Sequence, residues 1–161
     1  MKALYPDFVF ERIWDIDQKF IQEHGVMAII LDVDNTLTPH GSQELDEKTT
    51  EWLLKTKMFG VSLLILSNNT PERIKPFADK CGVDFLCGIK PKKSDYKKAL
   101  LKLGTSPQNT VGVGDQIFTD VLGANLSGLI SVLTTPIDKN ETKFIKLKRI
   151  FEKPFVKGVK K

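Results

Sequence analysis

The sequence predicts an α/β fold: a parallel, Rossmann-like sheet with helices on both faces, making a three-layer sandwich. Three observations predict it. Short apolar runs rich in Val, Ile and Leu recur along the chain, each too brief for a comfortable helix. Their apolarity is near-continuous rather than alternating, as in parallel strands covered on both faces. Between them lie stretches of helical spacing closed by Gly, so strand and helix alternate as βαβ crossovers require. At 161 residues and 41% hydrophobic, the chain is sized for one core.

Residues 1–15 mix Tyr5, Phe8, Val9, Phe10, Ile13 and Trp14 with charges and are expected to pack on the domain. Ile16, Phe20 and Ile21 then mark a helix from about Asp17 to His24 that Gly25 ends, placing His24 as a cation near a helix C-terminus. The first strand is Val26 to Leu31. It emerges into Asp32-Val33-Asp34-Asn35-Thr36, with Pro39 to Ser42 as turn material and His40 as a surface-loop histidine. A helix from about Asp46 to Phe59 stops at Gly60, and Val61 to Leu66 delivers Ser67-Asn68-Asn69 to the end of a second strand.

Thr70 as N-cap and Pro71 in the first turn open a helix that reaches about Cys81 before Gly82. Val83 to Leu86 is a third strand, leading through Cys87 to Lys90-Pro91; Ser94 is the expected cap of a helix running to Gly104. Thr110 to Gly114 is a fourth strand ending in Asp115 to Asp120. A helix follows to Leu126, and Leu129 to Leu133 forms a fifth strand.

Composition narrows the classes of function. No apolar run near the start reads as a signal peptide, and no stretch approaches the roughly 18 apolar residues of a membrane span. The expectation is a soluble, cytoplasmic protein. Cys81 and Cys87, without a cysteine or histidine cluster, suggest neither a disulfide framework nor a zinc site, and are expected to be buried thiols. The net charge of +4 hides an asymmetry: residues 139–161 hold nine Lys or Arg against Glu141 and Glu152, while the remainder is acidic. The core is therefore placed at residues 1–138, with 139–161 a basic terminal helix or tail rather than a second domain. Lys143, Lys146, Lys148, Arg149 and Lys153, with Phe144, Ile145, Leu147, Ile150 and Phe151 between them, suit either an anionic membrane interface or a terminal helix packed on the sheet.

The chemistry gathers at strand ends. Asp32 and Asp34 share one loop, and carboxylates held that close call for a divalent cation, a shared proton or different jobs. Ser67, Lys90 and Asp115 fall at the ends of other strands, where parallel-sheet loops line a common crevice. Each alone has an ordinary reading as turn residue or surface lysine; the set has the makings of a phosphate site. Asp32 and Asp115 offer oxygen ligands suited to magnesium, while Ser67, loop N–H groups and Lys90 neutralise phosphoryl oxygens. Asp32 can attack phosphorus, and Asp34 can give a proton to the leaving oxygen and later take one from water.

In this order, Asp32-Val33-Asp34-Asn35-Thr36-Leu37, Ser67, Lys90 and Gly114-Asp115-Gln116-Ile117-Phe118-Thr119-Asp120 resemble the four motifs of the haloacid dehalogenase (HAD) superfamily. The resemblance implies Asp32 as nucleophile, Asp34 as general acid/base, Thr36, Ser67 and Asn68 at the phosphate, and Lys90 orienting both. Magnesium would lie on Asp32, Asp115 and the carbonyl of Asp34, with Asp120 supporting the metal shell or only capping the helix. The intervals from Asp34 to Ser67 and from Ser67 to Lys90 leave no room for a cap domain. With Leu66-Ser67-Asn68-Asn69, Tyr5-Pro6-Asp7 and the basic tail, the chain is similar to the YqeG-type, subclass IIIA phosphatases, which resemble the mitochondrial phosphatidylglycerophosphatase. That resemblance implies removal of the terminal phosphate from phosphatidylglycerophosphate to give phosphatidylglycerol, while the basic tail itself suits peripheral contact with the inner face of an anionic membrane.

Competing readings are an uncapped phosphatase for phosphoproteins or nucleic-acid ends, and a non-enzymatic phospho-acceptor module. The latter lacks an acceptor aspartate at the end of the third strand, since Asp84 lies inside it. A calcium loop fails because Leu37 and Gln43 occupy the turn-glycine and bidentate-Glu positions, and a dinucleotide loop fails because Ile117 stands where the third glycine belongs.

Overall fold

Six strands, not five, form the sheet. The computed structural model describes residues 2–138, 143–156 and 159. In them a fully parallel sheet is ordered β1-β6-β5-β2-β3-β4, from β1 (Phe8–Phe10), β2 (Ala28–Leu31), β3 (Ser62–Ser67), β4 (Asp84–Cys87), β5 (Thr110–Gly114) and β6 (Ile130–Thr134). The unexpected strand is β1. The N-terminal segment packs on the domain as expected, but as an edge strand, with Phe8 opposite Val132 and Phe10 opposite Thr134. Asp7 secures its register: the carboxylate accepts from Ser131 N at 2.9 Å and Ser131 Oγ at 3.1 Å.

The helices are α1 (Gln18–Glu23), α2 (Glu47–Met58), α3 (Pro71–Cys81), α4 (Lys93–Leu103), α5 (Leu122–Leu126) and α6 (Lys143–Val156). Side chains alternate across the sheet. Ile29 and Leu31 of β2 join a core with Phe20, Trp52, Ile74 and Phe77, while Ile30 joins Tyr96, Ala99 and Ala124 on the other face. That two-sided burial makes the three layers. Trp52 Nε1 donates to Ile16 O at 2.8 Å, tying the N-terminal segment to α2. Phe8 and Phe10 pack edge-on against Phe20, and the His24 ring at the C-cap of α1 meets Phe8 edge-on and Phe20 at a tilt.

Local differences from the expected elements have local causes. Thr70 occupies the N-cap of α3 without a capping hydrogen bond from its side chain, whereas Gly82 ends the helix in the left-handed conformation at φ 59°. Ser94 is not the cap of α4; the helix begins earlier, with Lys92 at the N-cap. Asp95 fastens that end instead, its carboxylate accepting from Ile89 N at 2.9 Å. Cys81 is buried but Cys87 is exposed, because β4 is an edge strand and its last residue faces outward.

After β6 the chain returns to the loop that follows β2: Ile137 N donates to Asn35 O at 3.2 Å and Asp138 N to Asn35 Oδ1 at 3.1 Å. Helix α6 then packs Phe155 and Val156 beside Ile117, Val121 and Leu133. The side chains of Lys143, Phe144, Ile145, Lys146, Lys148, Arg149 and Lys153 lie outside the described residues. No helix among the described residues is long and apolar enough to cross a membrane.

Candidate active site

Every strand end singled out by the sequence opens on the same side of the sheet, because all strands run parallel. Asp32 leaves β2 still in register, its N–H donating to Val113 O at 3.0 Å. The chain then curls. Thr36, Leu37 and Thr38 all donate from their N–H groups to Val33 O, and Asn35 takes φ 64°, a left-handed conformation that asparagine tolerates better than most residues. Fully buried Val33 and Leu37 pin this curl into the core. Thr36 Oγ1 lies 3.5 Å from Asp32 Oδ2, at the outer limit of a hydrogen bond.

Lys90 is the electrostatic centre. Its Nζ lies 2.5 Å from Asp32 Oδ1 and 2.6 Å from Asp120 Oδ1, with the side chain 5% exposed. Burial by itself lowers the Lys90 pKa, but the Asp120 and Asp32 carboxylates outweigh burial and raise it well above the ordinary lysine value. Burial also pushes Asp32 up to about 6, with Lys90 opposing the rise and Asp120 adding to it. Both groups are ionised at neutral pH.

Asp115 completes an acidic group. One oxygen each from Asp32, Asp115 and Asp120 can be chosen so that all lie within 4.8 Å of one another. The three carboxylates and the Lys90 ammonium share one pocket, and the carboxylate donors are hard oxygens. Such a set fits a magnesium ion, which prefers oxygen ligands and few protein carboxylates. Asp120 is held at three points. Its Oδ2 accepts from Gln116 N at 3.1 Å, its other oxygen binds Lys90, and its backbone carbonyl accepts from Tyr96 OH at 3.3 Å.

Gly114 makes that position possible. A Cβ at Gly114 would collide with the Asp120 side chain. Gly114→Ala is therefore expected to push Asp120 off Lys90, costing about 1–3 kcal/mol of stability and most phosphate-releasing activity. Thermal unfolding alongside a turnover assay checks both, and a variant with normal activity would separate Asp120 from the site.

Asp34 stands apart from the acidic group. Its carboxylate accepts from Gly41 N at 2.8 Å, Asn69 Nδ2 at 2.7 Å and Arg73 Nη2 at 3.3 Å, with His40 Nδ1 at 3.9 Å. Ser67 is buried and its Oγ accepts from Asn69 N at 3.2 Å. Asn68 Oδ1 accepts from Lys90 N at 2.7 Å, which leaves its amide nitrogen as the group able to meet a phosphate. The sequence-selected residues thus form two adjoining groups: Asp32, Lys90, Asp115 and Asp120 around the ammonium, and Asp34, Ser67 and Asn69 joined through the Asn69 amide.

Two participants were not anticipated. Arg73 lies in the first turn of α3, and its Nη2 also donates to Ser42 O at 3.0 Å, so it braces the Asp34 loop. The available signal was a cation three residues past the helix-capping Thr70, at a strand end already known to face the crevice. Glu152 is the second: its carboxylate accepts from Ile117 N at 2.8 Å and Phe118 N at 3.4 Å, beside the Asp115 loop. A lone acid inside a run of basic residues was its signal.

Comparison with known proteins identifies the family and the fold. A family model described as mitochondrial PGP phosphatase matches residues 1–138. Over 161 residues the chain is 29% identical to the probable phosphatase YqeG of Bacillus subtilis (strain 168), covering 99% of this chain and 94% of that protein. It is 29% identical over 141 residues to the mitochondrial phosphatidylglycerophosphatase GEP4 of Saccharomyces cerevisiae, covering 74% and 76% of the two chains. Among solved structures, a haloacid dehalogenase-like hydrolase from Brucella suis 1330 shares the fold, with a TM-score of 0.54 at 14% identity over 83% of this chain and 94% of that one.

Proposed function

The chain belongs to the mitochondrial PGP phosphatase family and is a phosphatase of the HAD type, and on that premise we propose that it uses magnesium to convert phosphatidylglycerophosphate to phosphatidylglycerol through a phosphorylated Asp32. The observation that carries this reading is the Lys90 ammonium held between Asp32 and Asp120, with Asp115 within reach of both carboxylates.

In the proposed cycle the substrate's phosphoryl group settles against Ser67 Oγ, Thr36, the Asn68 amide and Lys90. The Lys90 contact at 2.5 Å fixes the Asp32 carboxylate and partly neutralises the charge between nucleophile and phosphate. Asp32 attacks phosphorus in line; the bond to the leaving oxygen breaks as the Asp34 carboxyl gives that oxygen its proton. Water then attacks the same phosphorus, Asp34 takes its proton, and the bond to Asp32 breaks, regenerating both carboxyl groups. Asn69 and Arg73, which hold Asp34 here, set the position of that acid/base group. Asp32 and Asp115, with Asp120 in support, would hold a magnesium ion, and such an ion would supply positive charge at the phosphoryl oxygens.

Lipid as substrate is supported by the names of the relatives and by the short connections that leave the crevice without a cap: Asp34 to Ser67 holds one loop, α2 and β3. We place the enzyme in the cytoplasm, at the inner face of the membrane.

The deciding experiment is phosphate release, with magnesium or with a chelator, from phosphatidylglycerophosphate in mixed micelles beside an aryl phosphate, a phosphopeptide and a phosphorylated DNA end. The lipid is expected to be preferred by more than about tenfold in kcat/KM, and chelation to reduce turnover by about a thousandfold or more. Equal turnover of the phosphopeptide or DNA end would reject the lipid assignment, and full activity in chelator would reject the metal.

A further inference from the structure

Helix α6 has two unlike faces. Inward, Glu152 binds the N–H groups of Ile117 and Phe118, and Phe155 meets the rings of Tyr5 and Phe118 edge-on, at 5.3 and 6.5 Å between centroids. Outward, Leu147, Ile150 and Phe151 are 52%, 59% and 62% exposed. Their spacing of three and four residues puts them in one stripe. Ile117 and Phe118 follow Asp115 and Gln116 directly, so Glu152 fastens α6 at the sheet end that carries the catalytic crevice.

Charge identifies what would cover the stripe. Residues 139–161 hold nine Lys or Arg against Glu141 and Glu152, and Glu152 is buried against backbone amides. A polynucleotide would satisfy that charge but not the apolar stripe. A second copy of the chain would cover the stripe but bring like charge against like. Anionic headgroups over acyl chains answer both features.

We propose that α6 is an interfacial helix that docks the enzyme on an anionic lipid bilayer through Leu147, Ile150 and Phe151, seating the bilayer beside the crevice. The inference deepens the lipid-phosphatase reading, and its primary readout is vesicle binding rather than turnover. The full chain and its Leu147→Ser/Ile150→Ser/Phe151→Ser variant are sedimented with vesicles of phosphatidylcholine alone and of equal parts phosphatidylcholine and phosphatidylglycerol.

The unsubstituted chain is expected to bind the anionic vesicles more than about tenfold more tightly than the neutral ones, with affinity falling as salt rises; the variant loses more than about tenfold. Aryl phosphate turnover stays unchanged in the variant, which reports an intact fold; Phe151→Ser alone serves if the triple variant unfolds. Equal binding by both proteins, or no preference for anionic vesicles, overturns docking through the stripe. So does a dimer of the unsubstituted chain that the variant loses while neither binds vesicles. Anionic-vesicle binding without lipid hydrolysis would leave docking standing and sink the substrate assignment. Lipid hydrolysis without vesicle binding would do the reverse.

Discussion

Asp32→Asn is expected to lower phosphate release by at least about 10⁴-fold, because the carboxamide cannot attack phosphorus and loss of a covalent nucleophile removes the whole pathway built on it. The same substitution carries an opposite, structural signature. In protein freed of divalent ions, Asp32 is ionised at neutral pH inside a group of three carboxylates, and burial raises its pKa from 3.8 to about 6. A carboxyl whose pKa is higher folded than unfolded weakens the fold where it is charged. The penalty is absent below about pH 4, grows between about 4 and 6, and is complete above that. About two pKa units correspond to roughly 3 kcal/mol at most.

Asp32→Asn should therefore match the parent protein in stability near pH 4 and exceed it above pH 6, as read by urea unfolding in chelator. Turnover retained within about tenfold would remove Asp32 from the nucleophile's position. A variant less stable than the parent at pH 7.5 would mean that the attraction of Lys90 outweighs the burial and crowding of the carboxylate.

The position of Asp32 was legible in the sequence because buried parallel strands announce themselves. Ile29, Ile30 and Leu31 form a run too short for a helix, and whatever follows such a run lies at the crevice. The same logic found Ser67, Lys90 and Asp115. It could not find β1, whose three half-buried residues give no periodicity and whose register depends on Asp7 meeting Ser131, 124 positions away. Asp120 was visible as a residue but not in its full role. Its place beside Lys90 requires the missing side chain at Gly114 and the single π-helical turn Ile117–Val121, neither of which leaves a hydrophobic pattern. The partners of Asp34 were hidden for a related reason: Arg73 and Asn69 reach it only when α3 docks against the curled loop.

Lys90→Met tests the electrostatic centre from the other side. Methionine keeps the length and apolar bulk of the lysine stem but leaves Asp32 and Asp120 facing each other without the cation that now lies 2.5 and 2.6 Å from them. Removing one partner of a buried ion pair costs about 3–5 kcal/mol, since the remaining charge stays buried and uncompensated. Turnover should also fall by at least about a hundredfold, because Asp32 loses its orienting contact and a bound phosphate its nearby cation. The stability loss has a defined pH dependence. Without Lys90 to lower it, the Asp32 pKa moves further up, so the variant should recover toward the parent as pH falls, starting above pH 6, whereas a loss caused by packing alone would not change with pH.

Magnesium provides the sharper discrimination. If Asp32, Asp115 and Asp120 form a cation site, an added divalent ion supplies charge that the methionine variant lacks, and its melting temperature should rise more with magnesium than that of the parent protein. A variant as stable as the parent in chelator would show that Lys90 contributes no net stability. A destabilised variant that magnesium fails to rescue would show that its carboxylates do not converge on a metal.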